Sequence, residues 1–135
     1  MEKIVIYTDG ASRGNPGYSS YGFVIYDLSG KQIYKEGKFV GHATNNIAEY
    51  SAVIEALTLV GEKLGCNVEI EVRADSNLVV QQLSGKFKIK SAHIKELVNK
   101  IKGLEAQFTK ITYTHIPRLE NKEADLLANQ ALDNL

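Results

Sequence analysis

A single cysteine, Cys66, occurs in the 135 residues, so the chain cannot close a disulfide on itself. Its neighbours Gly65 and Asn67 carry none of the Cys or His spacing of a zinc site. A reduced, cytoplasmic setting is the expectation. Excess charge of either sign is missing as well: 16 Lys and Arg balance 16 Asp and Glu. No global positive field announces a polyanionic partner, and any nucleic-acid contact has to be local. No apolar run approaches the ~20 residues of a membrane span, and the N-terminal MEKIVIYTDG holds too short an apolar stretch to be a leader. A soluble chain without membrane association is expected. The chain has no internal repeat, no low-complexity tract and no Pro/Ser-rich linker, so residues 1–135 are read as one domain. Tryptophan is absent, which leaves any aromatic contact to Phe or Tyr.

What is present suits a compact enzyme-sized core: 44% of the residues are apolar and 24% charged, a balance that argues against disorder. Ile4 to Tyr7 form a short β-rich run expected to stop at Asp9-Gly10, before a turn-rich SRGNPG loop. Tyr21 to Leu28 and Gln32 to Val40, separated by Ser29-Gly30, read as a hairpin. After Thr44 the period changes, with Ala48, Ala52, Ile54, Leu57 and Val60 set among good helix formers, Asn45 or Asn46 available as N-cap and Gly65 as a stop. Val68, Ile70 and Val72 alternate with polar residues and predict a strand ending before Asp75. Helices are expected over Ser76 to Leu83, Ser91 to Phe108 and Glu120 to Leu135, with a strand carrying Ile111, Tyr113 and His115 on one face. The order predicts an α/β fold: a five-stranded mixed sheet, three antiparallel strands then two parallel ones, flanked by helices.

Four acids stand where such a fold could gather them: Asp9 after the first strand, Glu49 in the first turn of the long helix, Asp75 after the fourth strand and Asp125 in the last helix. Each also has a plain structural explanation. Asp9 precedes a glycine as turn acids do, Glu49 could offset a helix dipole, Asp75 resembles an N-cap, and Asp125 could be solvated helix surface. Together they suggest hard oxygen ligands at the carboxyl ends of neighbouring strands. Close carboxylates repel unless a divalent cation neutralises them, which points to Mg²⁺ or Mn²⁺. Two such ions can activate a water and stabilise the leaving oxygen of a phosphodiester.

These acids lie in the strings YTDGASRGNPG, TNNIAEY, RADSNLVVQQL and HIPRLENKEADLLANQA. In order and spacing the four strings resemble the type 1 ribonuclease H family over nearly the whole chain. The resemblance implies a ribonuclease H-like fold and an endonuclease cutting the RNA strand of an RNA/DNA hybrid with two Mg²⁺ ions, Mn²⁺ able to substitute, leaving 5′-phosphate and 3′-hydroxyl ends. It implies that Asp9, Glu49, Asp75 and Asp125 are the catalytic metal ligands. His115 matches the family's mobile histidine, although it could simply be packed or hydrogen-bonded on its strand. Gly10, Asn15, Asn45, Asn46 and Asn77 fall at or near family positions that contact the hybrid, and Thr44 with Asn15 resembles a pocket for a DNA-strand phosphate. Capping and turn formation are the structural alternatives for these residues.

Departures from the family pattern accompany the match. In place of a basic protrusion, only Lys86, Phe87, Lys88, Ile89 and Lys90 lead into the next helix, within a stretch, Lys86 to Lys110, of local charge +5. That stretch could follow phosphates or be an ordinary solvated face, and Phe87 could pack a sugar or belong to the core. The chain starts at the first strand, so no separate hybrid-binding module is expected, and a monomer without an obligatory protein partner is. Rival readings are a hybrid-binding module without chemistry, another nuclease on the same fold such as a DNA exonuclease or junction resolvase, and a purely structural protein.

Overall fold

The computed structural model describes residues 2–135. Strands β1 (Glu2–Arg13), β2 (Gly17–Asp27) and β3 (Gln32–Ala43) are followed by helix α1 (Asn45–Lys63), strand β4 (Val68–Ala74) and helices α2 (Asn77–Leu83) and α3 (Ala92–Glu105). Strand β5 (Lys110–His115), a single 3₁₀ turn (Arg118–Glu120) and helix α4 (Lys122–Asp133) complete the order. The sheet runs β3-β2-β1-β4-β5, antiparallel from β3 to β1 and parallel from β1 to β5. This is the mixed sheet that the sequence predicts, since hairpin turns join the first three strands and helical crossovers separate the last two. Among the described residues no helix is long and apolar enough to cross a membrane.

Helices cover both faces of the sheet. Gly10 lies against α1, whereas Gly22, paired with the preceding residue Asp9, lies against α4. Successive strand residues point to opposite faces, so α1 and α4 sandwich the sheet. The main core is on the α1 side, where Ile4, Ile6, Phe23, Ile25, Leu57, Ile70 and Ile101 are fully buried. Each such side chain contributes about 1.5–3 kcal/mol by leaving water. On the opposite face α4 approaches β2 so closely that a Cβ on Gly22 would stand 2.8 Å from Ala128 N and nearer still to Ala124 O. Glycine there sets how deeply α4 sits, and hence where the first turn of α4 meets the end of the parallel strands.

Several local expectations need correction. β1 does not stop at Asp9-Gly10: its parallel pairing with β4 ends at Thr8↔Ala74, but antiparallel pairing with β2 continues to Arg13↔Tyr18. Pairing with β2 satisfies the backbone of residues whose side chains favour turns, so tertiary context overrides propensity. The cap of α1 is Thr44, whose Oγ1 accepts the Ile47 N–H at 3.2 Å, rather than Asn45 or Asn46. Ser76, not Asp75, caps α2. The third helix ends at Glu105, leaving Phe108 buried beyond it, and the last begins at Lys122 rather than Glu120. Phe87 is 46% exposed and therefore not core.

Candidate active site and metal-binding cluster

The end of the parallel pairing gathers the acids. Asp9 and Glu49 are buried at 5% and 4% exposure, and with Asp75 they offer carboxylate oxygens all within 4.8 Å of one another. Three of the plain explanations for these residues fail. Asp9 lies inside a paired strand rather than a turn. Glu49 lies beyond the first turn of α1, which contains no acid, and so does little for the helix dipole. Asp75 leaves capping to Ser76. Asp125 is different: it is in the first turn of α4 and half-buried, so the dipole favours its charge whatever else it does. It reaches Asp9 from the α4 side, where Asn129 Nδ2 donates to its Oδ1 at 3.2 Å and to its backbone oxygen at 2.9 Å.

Such crowding is electrostatically costly. Burial raises the Asp9 carboxyl far above the usual carboxylate range, and the charges of Glu49 and Asp75 push it further. Glu49 is raised by burial too, with hydrogen bonding from Asp9 and the Gly10 backbone drawing it partly back. Glu49 Oε2 is buried without a hydrogen-bond partner. A buried, unpaired carboxylate oxygen facing two other carboxylates is unfavourable for the protein alone. It is what a divalent cation would complete, because hard cations take several oxygen ligands and neutralise them. The donor set therefore fits Mg²⁺ or Mn²⁺.

An open cavity of about 580 Å³ leads to the cluster, lined among others by Gly10, Asn15, Asn45 and Asp125. Gly10 has a second reason to be glycine: a Cβ would stand 2.5 Å from Glu49 N, so its absence lets α1 bring Glu49 against the strand. A neighbouring recess of about 370 Å³ joins Asn15, Thr44, Asn45 and Asn46 to Ser91 and His93. The starts of α1 and α3 both open on it, and the Asn45 N–H donates to Asn15 Oδ1 at 3.0 Å, tying the β1–β2 turn to α1.

Two expected residues stand apart. Asn77 is exposed in the first turn of α2 and lines neither space, its Oδ1 accepting from Gln81 Nε2 at 3.2 Å. His115 also lines neither; it is exposed at the end of β5, paired with Ala74, the residue before Asp75. Its exposure removes the packed alternative. Sequence reasoning missed Arg118, among the described residues the one cation lining the acid cavity, and also Asn129 and the buried Asn121. Asn121, Asp125 and Asn129 recur every four residues, so one helix face carries all three, a spacing that could have found them.

A larger groove, about 630 Å³, lies on the sheet face beside the start of α4, lined by Lys3, Tyr7, Arg73 and Leu119 among others. Two of the cations that line it are paired, Arg73 with Glu71 and Lys3 with Glu69, and among the described residues the acids on its walls, Asp27, Glu71, Glu120 and Glu123, belong to no metal-ligating cluster.

Known proteins resemble the chain throughout. A family model described as reverse transcriptase-like matches residues 7–131. A bifunctional protein of Mycobacterium tuberculosis is 43% identical over 132 residues, covering 97% of this chain and 36% of that protein. Ribonuclease HI of Halobacterium salinarum is 39% identical, covering 98% of this chain and 65% of its own length. The chain thus spans between about a third and two-thirds of these curated relatives. The crystal structure of the Halobacterium salinarum RNase H1 superposes with a TM-score of 0.94, covering 98% of this chain and 99% of that one. LC11-RNase H1, solved in complex with an RNA/DNA hybrid, gives 0.92 at 40% identity, with 97% of both chains covered.

Proposed function

The chain belongs to the type 1 ribonuclease H family, and from that premise we propose that it is an endonuclease hydrolysing the RNA strand of RNA/DNA hybrids, with residues 1–135 acting as one catalytic domain. The observation that carries this reading is the meeting of Asp9, Glu49 and Asp75 within 4.8 Å around a buried, unpartnered Glu49 oxygen. The site's acidic, metal-binding character narrows here to two Mg²⁺ ions, with Mn²⁺ able to substitute, held by Asp9, Glu49, Asp75 and Asp125. Ions held by these four acids would supply activation of a water and charge stabilisation of the departing oxygen, the chemistry that leaves 5′-phosphate and 3′-hydroxyl ends.

The chain's own groups do the positioning. Asn15, Thr44, Asn45 and Asn46 form a polar recess beside the acids, and the N–H groups at the starts of two helices suit a DNA-strand phosphate there. Gly10, Asn15 and Asn45 line the acid cavity, where amide and backbone groups can both donate to and accept from a 2′-hydroxyl. Asn77, on the exposed first turn of α2, is assigned to the hybrid's outer flank. Lysines between Lys86 and Lys110 follow its phosphates. The exposed Cys66 thiol suits a reducing compartment; we assign the protein to the cytoplasm, acting as a monomer.

The test is cleavage of a labelled hybrid beside single-stranded RNA, duplex RNA and duplex DNA, with Mg²⁺ and with EDTA. Mg²⁺-dependent cutting of the hybrid's RNA strand is expected. Comparable cutting of duplex DNA would select another nuclease on this fold, and hybrid binding without cutting in either metal would select a binding module.

His115 is assigned to proton delivery or product release, because it is exposed at the end of β5, paired with Ala74, the strand residue that immediately precedes Asp75. His115→Ala is expected to lower kcat by roughly 10- to 100-fold and leave the hybrid KM nearly unchanged. An unaltered kcat removes the role.

A further inference from the structure

Asn121 is 1% exposed and stands where α4 would be capped, yet its side chain makes no capping hydrogen bond. Its amide turns elsewhere: Nδ2 donates to Thr8 O at 2.8 Å and to Asp75 Oδ2 at 3.3 Å. Its backbone carbonyl accepts the Asp125 N–H at 3.2 Å, and its own N–H donates to Arg118 O at 3.0 Å. One residue is thus bonded to the strand position before Asp9, to the carboxylate of Asp75 and to the backbone of Asp125.

Stability alone is a poor reason for an asparagine here. Its Oδ1 is buried with no partner, and an unmet buried acceptor offsets much of what the donated bonds contribute. Leucine, nearly the same shape, would fill the space without that cost. What leucine cannot supply is the bond to Asp75. A carboxylate has two oxygens, and one that is engaged by a neutral amide leaves the other to ligate a cation.

We infer that Asn121 is a positioning residue for the metal site: its amide holds Asp75 by Oδ2, aims the remaining oxygen at the cation shared with Asp9 and Glu49, and ties that orientation to β1 and to the turn carrying Asp125. The inference rests on the acids being cation ligands. Loss of a partner that orients a metal ligand costs roughly 10- to 100-fold in metal affinity or activity.

The experiment compares the parent with Asn121→Leu and Asn121→Ser. Mn²⁺ binding to the hybrid-free protein is followed by electron paramagnetic resonance, and kcat for hybrid cleavage is measured against Mg²⁺ concentration. The serine hydroxyl, one bond shorter than the amide, draws the donor back from Asp75 while keeping the position polar and small, so it removes the carboxylate bond without the bulk of leucine. Both variants are expected to weaken Mn²⁺ about tenfold and to raise the half-saturating Mg²⁺ by a similar factor, with the hybrid KM unchanged within about twofold. Parent-like Mn²⁺ binding and Mg²⁺ dependence in the folded variants, whatever happens to Tm, overturns the inference and leaves Asn121 a structural residue. If the leucine variant does not fold, the serine variant decides alone. A parent that binds no Mn²⁺ overturns the cation reading itself, a result distinct from variants that bind as well as the parent does.

Discussion

Asp75→Asn is expected to lower the rate of hybrid cleavage at saturating Mg²⁺ at least about 1000-fold, while hybrid affinity changes less than about threefold. The first half follows from what a carboxylate does in a cation site. Metal ions stabilise transition-state charge by several kcal/mol, and each 1.4 kcal/mol is about a factor of ten, so losing or misplacing an ion costs roughly three powers of ten. Asp75 is one of three acids whose oxygens converge within 4.8 Å, so no nearby carboxylate is spare. The second half follows from where the hybrid's phosphates are met. The polar recess of Asn15, Thr44, Asn45 and Asn46 and the lysines of Lys86 to Lys110 lie outside the acid triad, and phosphate contacts dominate affinity for nucleic acids. Single-turnover cleavage with fluorescence anisotropy on the same hybrid separates the two. A rate within tenfold of the parent would remove Asp75 from the ligand set; a matching loss of affinity would mean the substitution had disturbed the whole surface.

Why the acids were legible and their setting was not comes down to which forces each residue reports. Asp9 and Asp75 stand beside turn or strand-end signals and Glu49 just past the change to helical period, where local sequence is informative, whereas Asp125, inside the last helix, stands out through the string HIPRLENKEADLLANQA that carries it. The sheet was legible for a similar reason, because hairpin signals and helical crossovers dictate antiparallel and parallel neighbours. What escaped was set by partners distant in sequence. β1 runs on to Arg13 because β2 pairs with it, not because GASR favours strand. Glu49 is buried because Gly10 lets α1 approach. Asn121 looked like part of a helix start and turned out to bond Thr8 and Asp75, 113 and 46 residues away. His115 shared a face with Ile111 and Tyr113 in the pattern, yet it is exposed where they are half-buried.

Asp9→Asn should stabilise the metal-free protein by about 2 kcal/mol at neutral pH, raising Tm by roughly 5–10 °C, while abolishing cleavage. Both Asp9 and Glu49 have folded-state pKa values raised by burial and by neighbouring acids, so the folded protein holds protons that the unfolded chain releases. Their contribution to stability is fully present below the unfolded carboxylate range, near pH 4, and is lost as pH rises through the raised folded values. The metal-free parent therefore loses stability from about pH 4 toward neutrality on account of this pair. Glu71 works in the opposite sense: the Arg73 guanidinium holds its carboxyl below the usual range, so its contribution fades as pH falls. The quantity to follow is accordingly the difference between parent and Asp9→Asn, measured by urea unfolding in EDTA at several pH values, which cancels Glu71. That difference should grow with pH. Mg²⁺ should narrow it by stabilising the parent alone, since a cation that binds only the folded state adds RT ln(1 + [Mg²⁺]/Kd), and the variant has lost a ligand. A flat difference across the pH range would mean that the acids are not strained without a cation, and equal Mg²⁺ stabilisation of both proteins would mean that Asp9 is not among its ligands.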